Sequence, residues 1–120
     1  MHLKYPKKNI QLTSFGSPRV GNRMWAMYYE SLKIPTKRYA LDSDLAVHLP
    51  PLWTGYTHIS QQYHINKMGN EVKECVTSGP IGESKECLKP PKDGYTIENL
   101  MDHMHYFNLT LRCNPSAFDQ

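Results

Sequence analysis

Six histidines, eleven carboxylates and three cysteines supply most of the chemistry open to this chain of 120 residues. Imidazoles serve as metal ligands or as proton carriers. A metal reading would draw on His48, His58, His64, His103 and His105, with His103-Met104-His105 offering two ligands. No third ligand stands at a diagnostic spacing such as His-Glu-x-x-His. No metal and no other cofactor is expected. Proton transfer asks for a different set. A serine hydroxyl attacks only when an imidazole takes its proton, and the imidazole needs a carboxylate on its other nitrogen to fix the tautomer. The sharp turn that presents such a serine, Gly-x-Ser-x-Gly, requires glycines four apart. The glycines stand at 16, 21, 55, 69, 79, 82 and 94, so no pair meets that spacing.

The elements that would position these groups follow from hydrophobic period and turn residues. Ile10 to Phe15 alternates apolar and polar, as a strand does, and Gly16-Ser17-Pro18 ends it. Asn22 is a helix N-cap. Trp25, Tyr28, Tyr29 and Leu32 follow at helical spacing, which predicts one buried aromatic face. Ile34-Pro35 stops the helix. Lys37 to Leu41 reads as a second strand that enters the segment Asp42 to Pro51, so strand, helix and strand form the unit of a parallel sheet. Thr57 to Ile65 and Glu71 to Val76 predict a hairpin turning at Met68-Gly69-Asn70. Thr77 to Asp93 is loop, and Thr96 to Phe107 is a short final helix bearing Asp102, His103 and His105. No linker divides the chain, and one domain, or part of one, is expected over residues 1–120.

Cys75 and Cys87 enclose a polar loop that a disulfide could close, a constraint worth on the order of 3 kcal/mol on chain-entropy grounds. Cys113 is left over, which suggests a free thiol or a partner elsewhere. Asn108-Leu109-Thr110 is an N-glycosylation sequon, in keeping with an oxidising, secretory setting. The first residues are polar, so an export signal would have to lie upstream. No run of residues is apolar enough to span a membrane. The net charge of +3 is slight and the basic residues are dispersed, so no nucleic-acid partner is expected.

Three segments taken together resemble the class 3, fungal-type triacylglycerol lipases. Phe15-Gly16-Ser17-Pro18-Arg19-Val20-Gly21-Asn22 is similar to a strand-to-helix segment of that family. Asp44, with Leu49-Pro50-Pro51 and Gly55-Tyr56-Thr57-His58 behind it, is similar to the segment of the catalytic Asp. Asp102-His103 with Tyr106-Phe107 is similar to the terminal segment of the catalytic His. The resemblance runs from about residue 10 to residue 113.

It implies an α/β chain, the C-terminal part of an α/β-hydrolase fold: a partial, mostly parallel sheet with flanking helices and a β-hairpin. It further implies secretion and hydrolysis of lipid esters at a lipid–water interface by Ser, Asp and His in that chain order. Asp44 and His103 would be the catalytic residues, in preference to Asp42 and His105. The serine and much of the oxyanion hole would come from a missing N-terminal half of the same domain. On the same resemblance, Leu45, Val47, Leu49, Pro50 and Pro51 would line an acyl groove, although ordinary core packing explains them equally well. Asn108 stands where the family has Gly, and Cys113 is placed to bond a cysteine of the N-terminal half. The rival from another class is a catalytically inactive, lipase-like module that binds lipid or another protein.

Overall fold

The computed structural model describes residues 9–59, 61–77, 82–90, 94–107 and 109–110. Strand β1 (Leu12–Phe15) and strand β3 (Thr36–Leu41) run parallel, with Phe15 opposite Tyr39. β5 (Gln62–Ile65) lies parallel on the other side of β3, and β6 (Val72–Glu74) pairs antiparallel with β5. The sheet order is therefore β1-β3-β5-β6, mixed and mostly parallel. Two short ribbons accompany it. β2 (Gly21–Asn22) pairs with β4 (Tyr56–Thr57), and β7 (His105–Tyr106) pairs with β8 (Leu109–Thr110).

Helix α1 (Arg23–Ser31) connects β1 to β3 and begins where Asn22 predicts it. The Asn22 side chain accepts from the Trp25 amide at 2.9 Å, satisfying one of the donors that a helix start leaves open. The face it buries differs from the expectation. Ala26 is the fully buried residue, Trp25, Tyr29 and Leu32 are half-buried, and Tyr28 is exposed. Trp25 and Tyr29 stack at 5.8 Å, and the Tyr29 hydroxyl meets Thr36 Oγ1 at 2.7 Å. Bulky rings one turn apart straddle the contact line, so the small residue between them sits closest to the sheet.

The hairpin is shorter than predicted. β5 begins at Gln62, and Thr57 belongs to the separate ribbon with Gly21, because the chain between them turns inward at His58 and Ile59. Glu71 lies outside β6, and the connection is closed by Asn66, whose side chain accepts from the amides of Asn70 and Glu71. The final helix is also shorter. α2 (Ile97–Asp102) starts on a capping box between Thr96 and Asn99 and ends before His103, where the chain opens into β7.

The core is small. Leu41, Ile65 and Tyr106 form its centre, with Tyr39 packed against them. Phe15, Tyr39 and Tyr63 stack in register across β1, β3 and β5 with ring centroids 5.3 Å apart. Cys75 and Cys87 are joined in a disulfide across a separation of 12 residues, as their loop suggested. Among the described residues no helix is long and apolar enough to cross a membrane.

Candidate functional site

β3 ends at Leu41, and the chain turns at once: the Asp44 amide donates to the Leu41 carbonyl at 3.1 Å. That turn points Asp44 inward, and its side chain is 0% exposed. Three donors converge on the carboxylate. Oδ1 accepts from the Ala46 amide at 2.8 Å, Oδ2 accepts from the Tyr106 hydroxyl at 2.6 Å, and His103 Nδ1 lies 3.1 Å from Oδ1 and 3.0 Å from Oδ2. A buried carboxylate left without donors would be costly, and here it is well supplied.

Tyr106 acts as a post in this arrangement. Its hydroxyl accepts from the Leu41 amide at 3.1 Å while donating to Asp44. Burial, and then the carboxylate beside it, push its ionisation well above the ordinary phenol range, so it remains a donor. The ring of Tyr106 belongs to the core, so the carboxylate is tied directly to the best-packed part of the molecule.

Because a carboxylate oxygen accepts, Nδ1 of His103 is the nitrogen that carries hydrogen, which leaves Nε2 with a free lone pair in the neutral ring. The side chain is 38% exposed, and no partner for Nε2 is recorded among the described residues. The pair thus presents a basic nitrogen at the surface, backed by a buried acceptor. That arrangement can take a proton from a hydroxyl and return it to a leaving group.

Gly16 closes the other side. It ends β1 with φ of +63°, and its amide donates to the Tyr39 carbonyl at 2.9 Å. A Cβ there would stand 2.6 Å from Asp44 Oδ2, 2.7 Å from His103 Nδ1 and 2.8 Å from His103 Cε1. Only a residue with no side chain lets this backbone lie against the pair.

The other sequence candidates fall elsewhere. Asp42 is exposed and pairs with His64 Nε2 at 3.2 Å, while His105 Nδ1 meets the Met101 carbonyl at 2.9 Å. Of the groove candidates, Val47 is buried, Leu45, Pro50 and Pro51 are half-buried, and Leu49 is exposed. Burial removes Val47 from any open groove surface. Asn108 and Cys113 lie outside the described residues, as do Gly79 and Pro80 of the disulfide loop. Among the described residues, no group of three or more His, Cys, Asp and Glu is arranged to hold a metal ion.

Sequence reasoning missed the brace behind the loop. Arg19 is buried and holds three successive carbonyls. Its amide donates to Leu49 at 2.7 Å, and Nη1 donates to His48 at 2.5 Å and to Pro50 at 2.9 Å. Its other edge makes a two-point contact with Glu83, Nε to Oε1 at 2.8 Å and Nη2 to Oε2 at 3.2 Å. Glu83 Oε1 also accepts from the His58 amide at 2.8 Å. Burial raises the Glu83 carboxyl, but the Arg19 and His58 donors outweigh it and hold the group below its usual range. His58 is buried, and its Nε2 donates to the Val47 carbonyl at 2.7 Å. Burial first, and Arg38 nearby second, lower its pKa to about 3. Burial likewise lowers His48. The only advance signal was the Arg19 of the first motif, and nothing in its spacing points to residues 48–50 or 83.

These observations define a class: an α/β chain whose mixed, mostly parallel sheet carries a carboxylate–imidazole pair just past a strand end. Comparison with known proteins gives the family. The chain is 30% identical over 102 residues to a lipase of Rhizopus niveus, covering 85% of this chain and 24% of that protein. It is 31% identical over 102 residues to a lipase of Rhizomucor miehei, covering 84% and 26%. It is 29% identical over 109 residues to secreted mono- and diacylglycerol lipase 1 of Fusarium solani, covering 90% and 32%. Among solved structures, Rhizomucor miehei triacylglyceride lipase superposes with a TM-score of 0.73 at 27% identity, over 90% of this chain and 41% of that one. A triacylglycerol lipase whose catalytic centre is a serine protease triad gives 0.71 at 29% identity, over 86% and 37%. No family model matches the chain. The chain belongs to the fungal lipase family of Rhizomucor and Rhizopus type, and it has a partial form of that α/β fold. It spans about a quarter to a third of the length of the curated relatives it matches.

Proposed function

We propose that the chain is the C-terminal portion of a single secreted lipase domain and supplies its acid–base pair: Asp44 orients His103, and His103 serves a serine carried by polypeptide beyond these 120 residues. The observation that carries this reading is the contact between His103 Nδ1 and the buried Asp44 carboxylate, which leaves Nε2 free at the surface. In the reaction, Nε2 takes the serine proton as the hydroxyl attacks the ester carbonyl. Asp44 stabilises the imidazolium so formed, and His103 then gives the proton to the departing alcohol. Water attacks the acyl-enzyme with the same base, releasing the acid. No metal or cofactor enters these steps.

Lipid esters at a lipid–water interface are the substrate class, supported by the kinship with triacylglycerol lipases. Secretion is supported by the disulfide and by the relative named as secreted. Leu45, Leu49, Pro50 and Pro51 are the residues of the acyl-groove group best placed to meet a chain, since none of them is buried, and Arg19 holds the Leu49 and Pro50 carbonyls.

A graft tests this. Residues 9–110 replace the matching segment of the Rhizomucor miehei lipase, and turnover is measured on a short-chain triglyceride emulsion. Turnover by the graft, falling by roughly a thousandfold or more in His103→Ala and Asp44→Ala, is expected from the worth of triad members. A folded, secreted graft whose turnover ignores His103→Ala would defeat the reading.

A further inference from the structure

His103 follows a helix that has no hold on the core. None of the six residues of α2 is buried, and a helix this short has little stability of its own. Something other than apolar packing must therefore fix where α2 ends, and so where His103 begins. Two cross-links to the loop after β3 do so. Ser43 Oγ donates to Asp102 Oδ2 at 2.5 Å, and the Leu45 amide donates to the Asn99 carbonyl at 3.2 Å. Ser43 immediately precedes Asp44, and Asp102 immediately precedes His103. The Ser43–Asp102 bond is thus a second rung, one residue back along each strand of chain from the Asp44–His103 rung. On the far side Tyr106 is anchored by burial, so His103 is held between a packed post and a polar tie.

We propose that Ser43 and Asp102 are positioning residues for His103. Their hydrogen bond docks the C-terminal end of α2 on the β3 loop and so keeps the imidazole against Asp44. The inference rests on the reading of Asp44 and His103 as the acid–base pair, but its consequence is geometric and can be read without turnover. With the tie cut, only the Leu45–Asn99 contact and the Asp44–His103 rung itself join α2 to the β3 loop among the described residues, and the ring more readily leaves the Gly16 backbone that shields its Cε1 edge.

The test is solvent-deuterium exchange at the imidazole Cε1 position, followed by peptide mass spectrometry on the chain itself. His58, buried in the same molecule, serves as the internal reporter of fold. In Ser43→Ala, exchange at His103 is expected to rise about fivefold, the change that one hydrogen bond of typical net strength makes to a local equilibrium. Asp102→Ala should do the same, Ser43→Thr should restore the parent rate, and His58 should stay slow throughout. An unchanged His103 rate in Ser43→Ala overturns the proposal. So does a parallel rise at His58, because the bond would then be holding the fold rather than the ring. If the exchange pattern appears as expected but the grafted enzyme is indifferent to His103, the positioning role stands and the proposed reaction falls.

Discussion

At the scale of single residues, the site depends as much on what is small as on what is charged. Gly16 adopts a left-handed backbone and lies where any Cβ would overlap both Asp44 and His103. Gly16→Ala therefore faces two costs: roughly 1–2 kcal/mol for an L-residue in that conformation, and a contact that can be relieved only by moving the pair. In the graft, turnover should fall at least about a hundredfold, the scale of loss that a misplacement near 1 Å produces. The urea midpoint should fall with it, and a variant with parent turnover would show that the backbone at Gly16 does not confine the pair. Asp44 and His103 were legible because their residue types and neighbours match a family pattern, and the structure brings them within hydrogen-bonding distance. The Tyr106 hydroxyl and the Ser43–Asp102 bond were not legible. Tyr106 stood in the terminal motif as a spacing marker, and nothing in a linear sequence says that its oxygen reaches back 62 residues to a carboxylate.

At the scale of elements, the strands of the main sheet, though not all their bounds, and the cap of α1 could be read from local signals, since alternation and an Asn before a helix act over a few residues, whereas the two-residue ribbons could not. The buried face of α1 could not, because period alone does not say whether a ring or the alanine beside it meets the sheet. The loop of residues 46–50 was equally opaque: it is held by Arg19 and by Glu83, 64 residues apart. This brace makes stability depend on pH in one direction. His58 has a folded pKa of about 3 against 6.5 for the free group, so below pH 6.5 the unfolded chain takes up a proton that the folded chain refuses. Stability is then lost as pH falls between those values, by about 1.4 kcal/mol per unit from this group alone. His48 acts in the same sense, and Glu83, held low, adds its loss as pH falls below its unfolded value. Urea unfolding in dilute solution should therefore give about 2 kcal/mol less stability at pH 5 than at pH 7. His58→Gln, which retains a donor for the Val47 carbonyl, should flatten most of that slope. Equal midpoints at the two pH values in the parent would mean that His58 is not the buried, neutral group described.

At the scale of the whole molecule, the α/β class and the mostly parallel sheet were legible, and the family resemblance implied a sheet lacking the N-terminal half of its domain. Parallel sheets are ordinarily covered on both faces and continued by further strands. Here β1 pairs with β3 alone among the described strands, and Leu12 and Phe15 on it are exposed, as are Met24, Met27 and Tyr28 on α1. The described buried apolar residues, Ala26, Ala40, Leu41, Val47, Ile59, Ile65, Cys75 and Tyr106, are a thin core for so much exposed apolar surface. An edge strand with free amides and carbonyls beside uncovered aromatic rings is a template for pairing with another chain. At micromolar concentration the isolated chain should elute from gel filtration as a dimer or larger species and should melt over a broad range. The amides of Leu12 and Gly16 bond toward β3, so the Thr13 amide between them faces the open edge, and a lysine at exposed Leu12 adds charge to that strand without removing an amide from the ladder. Leu12→Lys should therefore shift the elution toward monomer. A cooperative, monomeric melt of the unaltered chain would show that β1 needs no further strand, and that the sheet is sufficient as it stands.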